Sequence, residues 1–155
     1  MSDEFRQVLG QYPTGVTIVT GVPDSDGEAP AMVIGSFGSV SLDPPLVMFL
    51  PGKGSSTWPD IEAGGHFGVS VLGAGHDAVA DDLFTKTGEH YTNHAWTTTA
   101  SGAPVLTEAL AWLDCTISDV HEAGDHWIVV GAVDALGMSA EGPVKPLVFW
   151  QGKYL

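Results

Sequence analysis

Short runs of β-branched and aromatic residues, each closed by glycine, proline or a polar turn, restrict this chain to an architecture of many short strands. Gly15–Gly21, rich in Val, Ile and Thr, reads as a strand and leads into the turn Pro23–Gly27. A strand runs from Met32 through Ser41, bends at Asp43-Pro44-Pro45 and resumes in Leu46–Leu50, and Phe67–Leu72 is another. Trp112–His121 alternates, with Leu113, Cys115 and Ile117 on one face; Glu122-Ala123-Gly124-Asp125 makes the turn and His126–Leu136 returns. Pro146–Trp150 is the last strand.

Helices are few and short. Ser2 caps the first, Asp3 and Glu4 favour its positive end, Phe5, Val8 and Leu9 form its apolar face, and Gly10 and Pro13 end it. A second follows Gly52–Thr57 and runs to Ala63; a third, about His76–Thr85, carries Val79, Ala80, Leu83 and Phe84 on one stripe. Residues 86–104 read as an irregular polar connection. The strands do not alternate regularly with helices and no repeat is present, which argues against a parallel doubly wound sheet. The expectation is a single domain over residues 1–155, mainly β with short helices: an antiparallel, Greek-key-like barrel with helices at its openings.

Charge narrows the partners. Five cationic residues stand against nineteen acids, a net −14, which argues against nucleic acid and anionic membranes. Acidity of this degree serves solubility, and any phosphate-bearing ligand must rely on a few local cations and backbone N–H groups. The single cysteine, Cys115, excludes an internal disulfide and reads as an inert buried thiol suited to a reducing compartment. No apolar run approaches the roughly 20 residues that span a bilayer, and the first residues lack a basic region and an apolar signal core, so a cytoplasmic location is expected.

Three segments can carry chemistry. Gly35–Pro45 sets Ser36, Ser39 and Ser41 in an otherwise apolar strand, while Gly35 and Gly38 leave its backbone uncovered. A flat heteroaromatic ring needs both features, although a solvated edge strand would show the same pattern. Pro51–Pro59 combines small residues, three hydroxyls and Lys53 before a helix, which suits a phosphate cradle or plain helix capping. It is not a Walker-type loop. Gly124-Asp125-His126 sits at a hairpin turn, where His126 either contacts a ligand or bonds a neighbouring strand. His90 and His94 are four apart but lack the surrounding pattern of a zinc site, and no Gly-x-Ser-x-Gly elbow is present.

Taken in order, these segments resemble the short-chain flavin reductase family, the reductase components of two-component flavin-dependent monooxygenases. The opening from Phe5-Arg6 to Thr20 is similar to the family's first helix and strand, and Ser36–Val47 resembles its flavin-binding stretch. Pro51-x-Lys53-x-Ser55-x-Thr57-Trp58 is similar to its segment at the ribityl and phosphate groups. Gly124-Asp125-His126 matches its nicotinamide motif, and Pro146–Tyr154 its C-terminal strand. The finer likeness is to reductase partners of actinobacterial aromatic or steroid-ring hydroxylases.

The resemblance implies an FMN-binding split barrel, forming a homodimer with flavin near the subunit interface. It implies that Ile34, Gly35, Ser36, Phe37, Ser39 and Ser41 line the isoalloxazine and ribityl chain. Pro51, Lys53, Ser55, Ser56 and Thr57 hold the phosphate, and Phe84 and Lys86 complete the pocket. His126, with Gly124, Asp125 and Tyr154, serves the nicotinamide. The chain departs from the family at Ala31, Val33, Gly35 and Gly38, losing potential side-chain hydrogen bonds to flavin.

The implied activity is reduction of free FMN or FAD by NADH or NADPH, with reduced flavin diffusing to a separate monooxygenase. Hydride transfer needs positioning, not a catalytic acid, base or metal. The alternatives are an enzyme with tightly bound flavin or deazaflavin acting on its own small substrate, and a non-catalytic flavin-binding module.

Overall fold

The computed structural model describes residues 1–155. Its elements are α1 (Ser2–Leu9), β1 (Thr14–Gly15), β2 (Thr17–Gly21), β3 (Ala31–Ile34), β4 (Gly38–Leu42), β5 (Pro45–Phe49), α2 (Trp58–Gly64), β6 (His66–Val71), α3 (Asp77–Thr85), α4 (Glu89–Asn93), β7 (Trp96–Thr98), β8 (Pro104–Leu106), β9 (Ala111–Ala123), β10 (His126–Met138), β11 (Val148–Trp150) and β12 (Lys153–Tyr154). Seven strands form one sheet in the order β3-β2-β6-β9-β10-β5-β4, every neighbouring pair antiparallel.

Connectivity forces this sheet to roll. Flat, it would be about 29 Å wide at about 4.8 Å per strand spacing. Yet its edge strands β3 and β4 are joined only by Gly35, Ser36 and Phe37, a link that spans at most about 14 Å. The edges are therefore drawn together without pairing, and the result is an open barrel. Its interior holds Val19, Ile34, Val47, Phe49, Phe67, Val69, Cys115 and Val129, closed by Trp58 and Ile61 of α2. A second core on the outer face packs Val16, Ile18 and Leu72 against Val79, Ala80 and Leu83 of α3. Alternation in β2 produces the division, Ile18 facing out and Val19 in.

Several expectations change here. The strand expected from Met32 to Ser41 is two strands on opposite edges, because closing the barrel requires a break at Gly35–Phe37. Residues 86–104 are more ordered than their polarity suggested. The His90 and Tyr91 rings lie 4.1 Å apart, Trp96 Nε1 donates to the His90 carbonyl at 2.7 Å, and the Tyr91 hydroxyl donates to the Ala29 carbonyl at 2.8 Å. Ser2 is the first residue of α1, not its cap, and Phe5, Val8 and Leu9 are exposed. The hairpin turn shrinks to Gly124-Asp125, with Glu122 and Ala123 in β9. Phe84 leaves the buried stripe of α3 and stands 63% exposed. Cys115 is fully buried as expected, and burial together with Asp114 and Asp134 pushes its thiol pKa up to about 12.

Candidate functional site

The hairpin β9–β10 carries its tip past the end of β5 and binds it to the segment that follows. The Lys53 N–H donates to the Asp125 carbonyl at 2.8 Å, and the Trp127 N–H donates to the Pro51 carbonyl at 2.9 Å, with Gly52 bridging to His126 between them. Two segments more than 70 residues apart in sequence thus become one surface. At this junction the Lys53 ammonium lies 4.8 Å from the centre of the Trp127 ring and 3.2 Å from Glu122 Oε1.

His126 is oriented by its neighbour. Its Nδ1 sits 2.7 Å from Asp125 Oδ1, and a carboxylate can only accept, so Nδ1 carries the hydrogen and the tautomer this selects leaves Nε2 as the acceptor. The same hydrogen bond holds the Asp125 carboxyl below its usual pKa. A Cβ on Gly52 would stand 3.8 Å from that Nε2, so glycine keeps the approach to the imidazole open.

The segment after Lys53 divides its donors. The Ser55 N–H bonds the Gly52 carbonyl, and Ser55 Oγ accepts from the N–H groups of Thr57 at 3.2 Å and Trp58 at 3.1 Å. Ser55 thus does the capping, while its O–H remains free to donate. The N–H groups of Gly54 and Ser56 have no protein partner. One ammonium, hydroxyls and free backbone donors make a set suited to phosphate oxygens.

Ser36 joins this surface to the barrel edge by accepting from the Leu50 N–H at 3.0 Å. Gly35, one residue before it, lines a cavity of about 190 Å³ with Thr14, Val33, Phe84, Phe149 and Tyr154. A Cβ at Gly35 would meet Thr14 Oγ1 at 3.1 Å, so the missing side chain leaves room for the Thr14 side chain. Phe84 and Tyr154 are therefore brought together at Gly35, whereas none of the hydrogen bonds at the His126 junction involves Tyr154. Lys86 ends α3 in the left-handed region at φ 54° and is exposed, with no ion pair to the others. Ile34 points inward into the core, while Ser39 is an exposed residue of β4. Roomier clefts exist elsewhere, one of about 380 Å³ beside Asp24, Glu28 and Asp60. Its carboxylates disfavour a phosphate, and it contains none of the expected site residues.

The sequence profile of the flavin reductase like domain matches residues 9–155. The chain belongs to the flavin reductase-like family. A flavin reductase of Pseudomonas putida is 43% identical over 150 residues, covering 97% of this chain and 86% of that protein. Among solved structures, nitrilotriacetate monooxygenase component B from Mycobacterium thermoresistibile superposes with a TM-score of 0.93 at 39% identity, covering 99% of this chain and 85% of that one. The Streptomyces globisporus NADH:FAD oxidoreductase SgcE6, in complex with NAD and FAD fragments, superposes with a TM-score of 0.89 at 34% identity over 99% of this chain and 91% of its own.

Two side chains at the hairpin junction escaped the sequence reading, Glu122 and Trp127. Both lie beside the Gly124-Asp125-His126 motif, and their mutual pairing across the hairpin places them at Lys53. Strand alternation extended through the turn would have put them on one face.

Proposed function

We propose that this chain catalyses NAD(P)H-dependent reduction of free flavin and supplies the reduced flavin to a separate monooxygenase. The observation that carries this reading is the backbone junction between Pro51–Lys53 and Asp125–Trp127, which sets a phosphate-type donor cluster beside an imidazole acceptor. The names of the relatives support it: flavin reductase, monooxygenase component B and NADH:FAD oxidoreductase.

In this reading Lys53 supplies the charge at the flavin phosphate, with Pro51, Ser55, Ser56 and Thr57 around it. Ile34, Gly35, Ser36, Phe37, Ser39 and Ser41 line the flavin along the barrel edge, and Phe84 and Lys86 close that end. His126 Nε2 accepts from the nicotinamide carboxamide, Asp125 holds the imidazole, Gly124 allows the tight turn, and Tyr154 borders the pocket at Gly35. Bound together, the two cofactors supply the hydride chemistry between nicotinamide and flavin N5. The protein's part is to position and to exclude water. The residues act as one domain over 1–155.

Exposed Phe5, Val8 and Leu9 on α1, with Leu136 and Met138 on β10, support a homodimer. No helix is long and apolar enough to cross a membrane, and the lone buried thiol favours the cytoplasm.

The test is nicotinamide oxidation by the purified protein with FMN, FAD or no flavin added. Turnover that requires added flavin supports the reading and ranks the two flavins. Turnover without added flavin, from a protein purified yellow, replaces it with a tightly bound cofactor. Binding of flavin with no turnover on NADH or NADPH refutes the enzymatic reading.

A further inference from the structure

We propose that Glu122 is an internal competitor for the phosphate-binding cation: its carboxylate occupies Lys53 until a flavin phosphate displaces it, and it thereby sets how loosely flavin is held. The inference rests on the reading of Lys53 as the flavin phosphate contact.

Lys53 is held in place from the hairpin. Its N–H is bonded to the Asp125 carbonyl, and its ammonium lies over the Trp127 ring at 4.8 Å. Glu122 and Trp127 are direct partners across the β9–β10 ladder. The register that sets the ring by the ammonium therefore also sets the carboxylate 3.2 Å from Nζ.

The Glu122 side chain is 71% exposed and its one hydrogen-bonding partner is Lys53, so its removal leaves the packing intact. The second nearby carboxylate, Asp125, has one oxygen engaged by His126 at 2.7 Å and forms no ion pair with Lys53, although it feels the Lys53 charge.

The charge arithmetic is local. With Glu122 in place, an incoming phosphate meets a paired ammonium; without it, the ammonium has lost its ion-pair partner and keeps only the weaker influence of Asp125, in a chain with only five cationic residues. Exposed ion pairs are weak, so displacement is feasible and its effect is moderate, a loss of roughly two- to six-fold in affinity for a phosphate-bearing flavin. A protein that must release its flavin to an oxygenase gains from this competitor. A protein that keeps its flavin does not.

The experiment measures dissociation constants for FMN and for riboflavin, which lacks the phosphate, by flavin fluorescence at low ionic strength. It compares wild type, Glu122→Gln, Lys53→Met and the double variant, each checked for folding by circular dichroism. The expected result is that Glu122→Gln tightens FMN roughly two- to six-fold, leaves riboflavin unchanged, and has no more than a marginal effect, about 1.5-fold or less, in the Lys53→Met background. The KM for FMN falls in step, with the KM for NADH unchanged. Unchanged or weaker FMN binding in Glu122→Gln, while Lys53→Met weakens FMN but not riboflavin, overturns the role of Glu122 and leaves Lys53 as the phosphate contact. Equal tightening of FMN and riboflavin overturns it as well, because the effect would not act on phosphate. If Lys53→Met alters FMN and riboflavin alike, both the competitor and the phosphate assignment fall.

Discussion

Replacing His126 with alanine tests the division of labour at the hairpin tip. Its Nε2 is the ring's one free acceptor, because Nδ1 is committed to Asp125 at 2.7 Å. Loss of a single neutral hydrogen bond to the carboxamide costs about 0.5–1.5 kcal/mol, or about two- to twelve-fold in affinity. The His126 side chain is 51% exposed, which favours the lower half of that span. Flavin affinity should stay within about twofold, because the hairpin grips Pro51 and Lys53 through the backbone of Asp125 and Trp127. The assay is KM for NADH at saturating flavin, set beside a fluorescence titration of FMN. Asp125→Asn retains an acceptor for Nδ1 and should show a smaller rise than Asp125→Ala. Equal losses for both ligands after His126→Ala, or no loss for either, would refute the assignment of the imidazole to the nicotinamide.

Three further outcomes follow from the core and the titrating groups. A Cβ on Gly131 would overlap the Phe67 ring; Gly131→Ala should therefore cost about 1–3 kcal/mol by overpacking and lower Tm by roughly 3–10 °C in thermal unfolding, and an unchanged Tm would mean that the barrel interior yields. Cys115 should resist thiol reagents in the native protein and react on unfolding, since its thiol is pushed up to about 12 and is fully buried; rapid native labelling would contradict the packing. His90 is buried with neither ring nitrogen bonded, and desolvation lowers its pKa. The unfolded chain therefore takes up the proton first, so stability is full above about pH 6.5 and declines as the pH falls below it. His90→Phe should flatten that acid limb in chemical denaturation, and an unaltered slope would assign it elsewhere, to His76 for example, which shifts in the same direction.

The segments easiest to read in sequence were those whose information is local. Trp112–Ile117 alternates because one face lies in the barrel, and the 13-residue strand found there contains the expected apolar set Leu113, Cys115 and Ile117. The third helix appeared at Asp77–Thr85, with Val79, Ala80 and Leu83 buried on the expected stripe. Residues 86–104 resisted for the opposite reason. Their order comes from stacking of His90, Tyr91 and Trp96 and from a bond to Ala29, none of which has a periodic signature. The glycine at 35, read as a lost flavin contact, has a packing explanation visible only once Thr14 lies beside it.

By itself the sequence determined the strand-rich class, because turns, alternation and residue type are encoded locally, and it singled out the three segments that the proposed function uses. It also determined the scarcity of cations, which makes Lys53 conspicuous. The rolling of the sheet, the separation of β3 from β4 to opposite edges, and the meeting of Lys53 with His126 were decided by tertiary structure alone. The physical reason is that the rolling follows from the short link between the edge strands, and the junction from backbone hydrogen bonds between Pro51–Lys53 and Asp125–Trp127. Any residue can supply the C=O, as Pro51 does here, and any but proline the N–H, so the pairing leaves almost no mark on side-chain identity, and only the closed path of the chain selects it.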